Sequence, residues 1–278
     1  MDTSGTVDQD GFDLDWVRAG SGIPMLIVGP PRYYQRVFPE ELLRDFEIVF
    51  ANMRGFVPPP KGFDVTTLTR DTYADDIEAI RQATRLVRPV VVGHSIAGTM
   101  ALEYARRYPD SVRGVAAIGA LPVGTKKQMQ RVGEFFEQDA DAERRAAHER
   151  NFATRRVPTA ITTGRDLADL YIANGALYWY DPTFDASPLW DGVEPQAEIL
   201  NHTYDTLFAE YDLQPLDVPV FVALGRYDYA IPYDLWDEEQ TQRLSKVHYK
   251  LYDDSGHTPP YEVPQSFTAD ITAWAQSL

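Results

Sequence analysis

Three residues of this 278-residue chain have side chains suited to proton transfer and attack on a carbonyl, and each follows an apolar run. Ser95 follows "VVVG", Asp228 follows "VALG" and His257 follows "KLYDDSG". A serine hydroxyl is a weak nucleophile that needs an adjacent base. Imidazole is the side chain that takes up and returns a proton near neutral pH, and a carboxylate can hold its second nitrogen. The serine stands in "GHSIAG" (93–98), with small residues two before and two after it. A sharp strand-to-helix turn needs such neighbours, because the serine backbone is strained and larger side chains would collide. The strain costs ~1–3 kcal/mol. In return the hydroxyl is exposed and a helix N-terminus faces any negative charge that develops. Ala97 takes the place of the second glycine of a strict Gly-x-Ser-x-Gly spelling and is small enough to serve. The competing reading of Ser95 is an N-cap on an ordinary helix.

The elements that must position these groups alternate along the chain. "FDLDWV" alternates apolar and polar residues, "AGSGIP" supplies turn residues and "MLIV" is continuously apolar, which predicts a hairpin leading into a central strand. "FPEELLRDF" predicts a short helix and "EIVFA" a buried strand. A longer helix follows, with Leu68, Tyr73, Ile77, Ile80 and Leu86 at helical spacing and an acidic outer face. "RPVVVG", a helix stopped by Pro109, and "VRGVAAIGAL" continue the rhythm. Such alternation implies a parallel sheet covered on both faces. The rhythm breaks after Pro122 and returns near Leu216 with "VPVFVALG", a helix near residues 233–244, "KVHYKLY" and a last helix from Pro264. The expected organisation is an α/β core from 1–121 and 216–278, interrupted by a helical insertion, 122–215, of sub-domain size. Ligands of open parallel sheets bind outside the carboxyl ends of the strands. Ser95, Asp228 and His257 are predicted to stand there.

Composition narrows the partners. The formal charge is −16, from 42 acidic and 26 basic side chains. That balance repels phosphate backbones and anionic headgroups, so neither nucleic acid nor a membrane is an expected partner. There is no cysteine, hence no thiolate nucleophile and no disulfide scaffold. The N-terminal stretch has neither a basic nor an apolar segment of the signal-peptide kind, and no apolar run approaches the ~18 residues of a membrane span. A cytoplasmic protein is expected. Neither a phosphate-binding glycine loop at a strand end nor metal-ligand spacing is present, so no cofactor and no metal are expected.

With these residues in view the chain resembles the α/β-hydrolase superfamily from about Phe12 to Trp274. The matching pieces are "VVVGHSIAGTMALEYARRYPDSVRGVAAI", "VPVFVALGRYDYAIP" and "YDDSGHTPPYEVP". Within the superfamily it is similar to the capped proteins grouped with proline iminopeptidases. The resemblance implies a nucleophile at Ser95, an acid at Asp228 and a base at His257. Among the other histidines, His94 adjoins the serine, His248 lies in a predicted strand, and His148 and His202 lie in the insertion. Asp253 and Asp254 read as turn residues. Haloalkane dehalogenases and epoxide hydrolases of this fold use a carboxylate nucleophile, and position 95 is not Asp.

The superfamily usually follows its first parallel strand with His-Gly-X, where the N–H of X and the N–H after the nucleophile hold the oxyanion. Here the residues are Val28, Gly29 and Pro30, and proline has no N–H. Ile96 keeps one donor by this analogy. Losing the other typically costs ~10²–10³ in rate. Three explanations remain open: a shifted loop presenting the N–H of Arg32 or Tyr33, a tyrosine hydroxyl (Tyr33 or Tyr34 being nearest in sequence), or a weak catalyst or binder. A substitute donor is favoured, because an intact triad beside a dead hole is inconsistent. In the next strand-end loop Asn52 replaces the usual Asp, and Arg54 reads as a structural anchor.

The insertion resembles the helical cap of such hydrolases. Tyr171, Tyr178, Trp179, Tyr180, Phe184 and Trp190 either line a cleft over the nucleophile or pack the cap's own core; Tyr34, Tyr178, Trp179 and Trp190 are the expected substrate contacts. Phe135, Phe136 and Met129 read as cap core. Glu194, Glu198 and Glu210 are available to grip an α-ammonium group. Ester or lactone hydrolysis is the expected activity, because a leaving alkoxide needs less help than an amine where the oxyanion hole is compromised, with a bulky macrolide-like ring in view. The alternatives are an iminopeptidase-like aminopeptidase acting on short peptides, or a ligand-binding protein.

Overall fold

Apolar residues concentrate in five short runs, and these become the centre of a single eight-stranded sheet in the order β1-β2-β4-β3-β5-β6-β7-β8. The computed structural model describes residues 3–278. β1 (Thr3–Gln9) and β2 (Phe12–Gly20) form an antiparallel hairpin, and β2 runs antiparallel to β4 (Phe46–Ala51). From β4 onward the sheet is parallel through β3 (Ile23–Val28), β5 (Val90–His94), β6 (Gly114–Ile118), β7 (Val220–Gly225) and β8 (Val247–Tyr252). Every residue of β5, β6 and β7 is buried, as expected of strands covered on both faces.

The helices follow in chain order. α1 (Pro31–Val37), α2 (Arg70–Ala83) and α3 (Ile96–Arg107) belong to the first half of the sheet. Between β6 and β7 the regular elements are helical: α4 (Thr125–Asp139), α5 (Ala142–Thr154), α6 (Gly164–Ala173), α7 (Gly175–Tyr178), α8 (Ser187–Trp190) and α9 (Ala197–His202), followed by a π-helical turn, Thr203–Leu207. α10 (Glu238–Thr241), α11 (Pro259–Glu262) and α12 (Pro264–Gln276) complete the chain. No helix among the described residues is long and apolar enough to cross a membrane.

Three local expectations are corrected. The hairpin is β1–β2, not β2–β3; β4 lies between β2 and β3. Its turn is Asp10-Gly11, both at positive φ (54° and 81°), the conformation a tight hairpin requires. β1 has no apolar alternation because it is a largely exposed edge strand. The second correction concerns "PPRYY", which opens α1 with Pro31 in its first turn. Proline suits that place, since the first helical N–H groups have no intrahelical acceptor. Third, Met129 is 70 % exposed rather than cap core, whereas Phe135 is buried against Tyr229 and Tyr233. Arg54 is an anchor: it donates to both oxygens of Asp76 at 2.7 Å and to Asp10 at 2.7 Å.

Candidate active site

The turn between β5 and α3 holds Ser95 at φ 58°, ψ −133°, in the left-handed half of the map that a β-carbon disfavours. Two backbone bonds keep it there: Ser95 N–H donates to Ile118 O at 2.8 Å, and Gly98 N–H donates to Ser95 O at 2.9 Å. Gly93 is required because any β-carbon would run into the Ala97 carbonyl. The N–H of Ile96, the first residue of α3, has no intrahelical acceptor, as at any helix start, and is the donor next to Ser95.

Asp228 and His257 stand after β7 and β8. Asp228 is fully buried, and its Oδ1 accepts the N–H groups of Ala230 (3.0 Å) and Ile231 (2.7 Å). Its Oδ2 lies 2.7 Å from Nδ1 of His257. A neutral imidazole that gives its Nδ1 proton to this carboxylate as a hydrogen bond keeps Nε2 as the basic nitrogen. His257 is held from behind as well. Its N–H donates to Tyr178 O at 2.6 Å, and its carbonyl accepts from Nε2 of His94 at 2.9 Å. A carbonyl only accepts, so His94 carries its proton on Nε2. The Tyr34 hydroxyl faces its Nδ1 at 3.4 Å. Burial, reinforced by the neighbouring His257, holds the His94 pKa well below the ordinary histidine range, so His94 is a neutral prop.

Glu262 has a role that the sequence did not suggest. Its Oε2 accepts Ser255 Oγ, Gly256 N–H and Thr258 N–H, each at 3.0 Å, and its Oε1 accepts Tyr180 N–H at 2.6 Å. Burial pushes its carboxyl pKa up, against these hydrogen bonds. One carboxyl thus ties the His257 loop to the helical insertion.

Ser95 and His257 open onto one cavity of about 90 Å³ between the strand ends and the insertion. Tyr34, Tyr178, Trp179 and Trp190 all line it, as do Tyr33, Tyr171 and Tyr204. Trp190 stacks on Tyr171 at 5.3 Å and meets Tyr33 at 5.1 Å, so α6, α8 and α1 share one aromatic wall. The Tyr178 ring stands edge-on to His257 at 5.3 Å. Tyr180 and Phe184 lie outside the cavity. Among the described residues no Asp, Glu, Lys or Arg lines it.

The loop after β3 bears on the expected donors. Gly29 N–H is bound to Ala51 O at 2.8 Å, and Gly29 itself (φ 132°) lets the Tyr34 ring lie against its α-carbon. The N–H groups of Tyr33 and Tyr34 both go to Pro30 O at 3.1 Å, as the first turn of α1 dictates. The Tyr33 N–H is therefore taken. Arg32 is exposed, lies alongside Gly192 and does not line the cavity. The Arg32 N–H, in the first turn of α1, has no backbone acceptor.

A family model described as "alpha/beta hydrolase fold" matches residues 22–264. The AB hydrolase superfamily protein YclE of Bacillus subtilis is 31 % identical over 99 % of both chains. The chain belongs to the α/β-hydrolase superfamily. A non-heme chloroperoxidase of Streptomyces lividans is 27 % identical over 79 % of this chain and 76 % of its own. The solved structure of a proline iminopeptidase-related protein from Thermus thermophilus superposes with a TM-score of 0.72 at 18 % identity, over 100 % of this chain and 98 % of that one. In this α/β-hydrolase the sequence motifs found the strand-end residues. They did not find the contacts of His94 and Glu262 around His257, nor Tyr204 as a residue lining the cavity. For Tyr204 no local signal exists, since only the fold carries residue 204 to residue 95.

Proposed function

We propose that this α/β-hydrolase cleaves carboxylic esters or lactones with a compact acyl group through an acyl-enzyme. Ser95 Oγ gives its proton to His257 Nε2 and bonds to the carbonyl carbon, whose π pair moves onto oxygen. The tetrahedral oxyanion takes a hydrogen bond from Ile96 N–H. Its collapse expels the alkoxide, which receives the proton from His257. Water then repeats the sequence, with His257 as base, and releases the acid. Asp228 fixes the imidazole tautomer and stabilises the imidazolium. The observation carrying this reading is the buried His257–Asp228 pair at 2.7 Å opening onto the same cavity as Ser95 in its strained turn.

An ester is favoured over a peptide by charge. An aminopeptidase needs a carboxylate facing the α-ammonium group of its substrate. Glu194, Glu198 and Glu210 are all exposed, Glu210 pairs with Lys126, and none lines the cavity. Volume favours a compact acyl group over the macrolide-like ring: about 90 Å³ admits a short chain or small ring and little more. The aromatic residues of the insertion act as a lid over that group.

The experiment is labelling with a fluorophosphonate probe, together with turnover of p-nitrophenyl esters against prolyl and alanyl anilides. The wild type is expected to label and Ser95→Ala to stay unlabelled, with ester turnover exceeding anilide turnover. An unlabelled wild type would favour a binding protein; faster anilide cleavage would favour an aminopeptidase.

A further inference from the structure

The oxyanion hole is one donor short in its usual place, and the insertion brings a hydroxyl to the gap. Among residues 28–34, Gly29, Tyr33 and Tyr34 spend their N–H groups on backbone carbonyls, the two prolines have none, and Arg32, whose N–H has no backbone acceptor, is not among the residues that line the cavity. The hydroxyls that line the cavity are not equivalent. That of Tyr34 is turned to His94. Tyr178 lies on the His257 side. Tyr204 lines the cavity together with Ser95, and the Ser95 hydroxyl is among the groups that act on its phenol.

We infer that the Tyr204 hydroxyl is the second oxyanion donor of this enzyme, held in aim by Tyr171, in place of the N–H that Pro30 lacks. The inference rests on Ser95 being the nucleophile. Its geometry is a short relay. The Tyr171 hydroxyl donates to the Tyr204 oxygen at 3.3 Å, which leaves the Tyr204 hydrogen free to point at Ser95 or at an oxygen bound to the same carbon. The backbone of Tyr204 is fixed at both sides. Thr125 Oγ1 donates to its carbonyl at 2.7 Å. The adjacent Thr203 is fully buried, donates to Ile199 O at 2.8 Å and shares a 2.6 Å hydrogen bond with the Tyr73 hydroxyl. Tyr204 belongs to a π-helical turn, an arrangement that re-aims a side chain relative to a regular helix and recurs at functional sites. A donor fixed in this way needs no reorganisation as charge develops, which is the condition for oxyanion stabilisation.

Burial pushes the Tyr204 pKa up, against the hydroxyls of Tyr171 and Ser95, so the phenol keeps its proton and acts as a donor. The hydrogen bond forms to the carbonyl oxygen as it gains negative charge, and no proton is transferred to it. Because Tyr204 belongs to the insertion, a complete hole exists only when insertion and core are packed together.

The test uses the full chain with p-nitrophenyl acetate as substrate and an aryl trifluoromethyl ketone as the tetrahedral mimic. Tyr204→Phe is expected to lower kcat by ~10²–10³ with KM within about threefold. The ketone should lose affinity in the same proportion, and the melting temperature should stay close to that of the wild type. Tyr171→Phe should lower kcat by about tenfold, the scale of one hydrogen bond, again at constant KM. A Tyr204→Phe variant that folds and keeps kcat within about threefold overturns the inference. If that variant does not fold, Tyr171→Phe decides, and unchanged kcat there overturns it. Loss of turnover in Ser95→Ala alongside an unaffected Tyr204→Phe would sink this inference and leave the hydrolase reading standing. Turnover surviving in Ser95→Ala would sink both.

Discussion

Asp228 shows how completely one side chain can be committed. Two backbone N–H groups occupy Oδ1, so only Oδ2 is left for His257. Asparagine at this place would keep Oδ1 as the acceptor of Ala230 and Ile231 and turn its NH₂ toward the imidazole. His257 would then have to present an unprotonated Nδ1, with its proton on Nε2, the tautomer that cannot act as base. Asp228→Asn is therefore expected to lower kcat by ~10⁴ with little change in KM or circular dichroism. Steady-state kinetics with p-nitrophenyl acetate checks this; a loss below about tenfold would mean that Asp228 does not orient the base.

At the scale of elements, α2 and α3 are clamped together by Glu78. Burial disfavours its charge, but hydrogen bonds from Arg81, Gln82 and the Tyr104 hydroxyl outweigh that cost and hold its pKa down at about 2, from 4.5. A carboxyl depressed in this way stabilises the fold above pH ~4.5 and loses that contribution as the pH falls toward ~2. After solvent screening the contribution at neutral pH is about 1–2 kcal/mol. Glu78→Gln should be less stable than wild type by that amount in urea at pH 7, with the two curves converging near pH 2. A gap that widens on acidification would contradict the assignment.

The whole molecule puts an acidic exterior around a neutral, aromatic interior cavity. The net charge is −16, while the cavity has no charged wall. Size rather than charge then selects the substrate. Turnover of p-nitrophenyl esters should peak at acetate to butyrate and fall steeply by octanoate. Trp190→Ala removes the ring that joins Tyr171 to Tyr33, and should move the optimum to longer acyl chains. A flat chain-length profile in the wild type would mean that the insertion opens freely over the site.

The strands and the three strand-end residues were legible because their determinants are local. Continuous apolar runs specify buried parallel strands, and "GHSIAG" specifies a turn only small residues can make. Edge strand β1 was not legible from apolar pattern, because an exposed strand buries little, although its Asp10-Gly11 turn was a signal. "PPRYY" was readable as a break but not as the start of a helix, since proline serves both. What the sequence determined alone was the fold class and the order Ser, Asp, His at the ends of strands. Tertiary structure decided which side chains surround them, because Tyr204, Tyr171 and Glu262 reach the site through contacts between core and insertion that no spacing along the chain encodes.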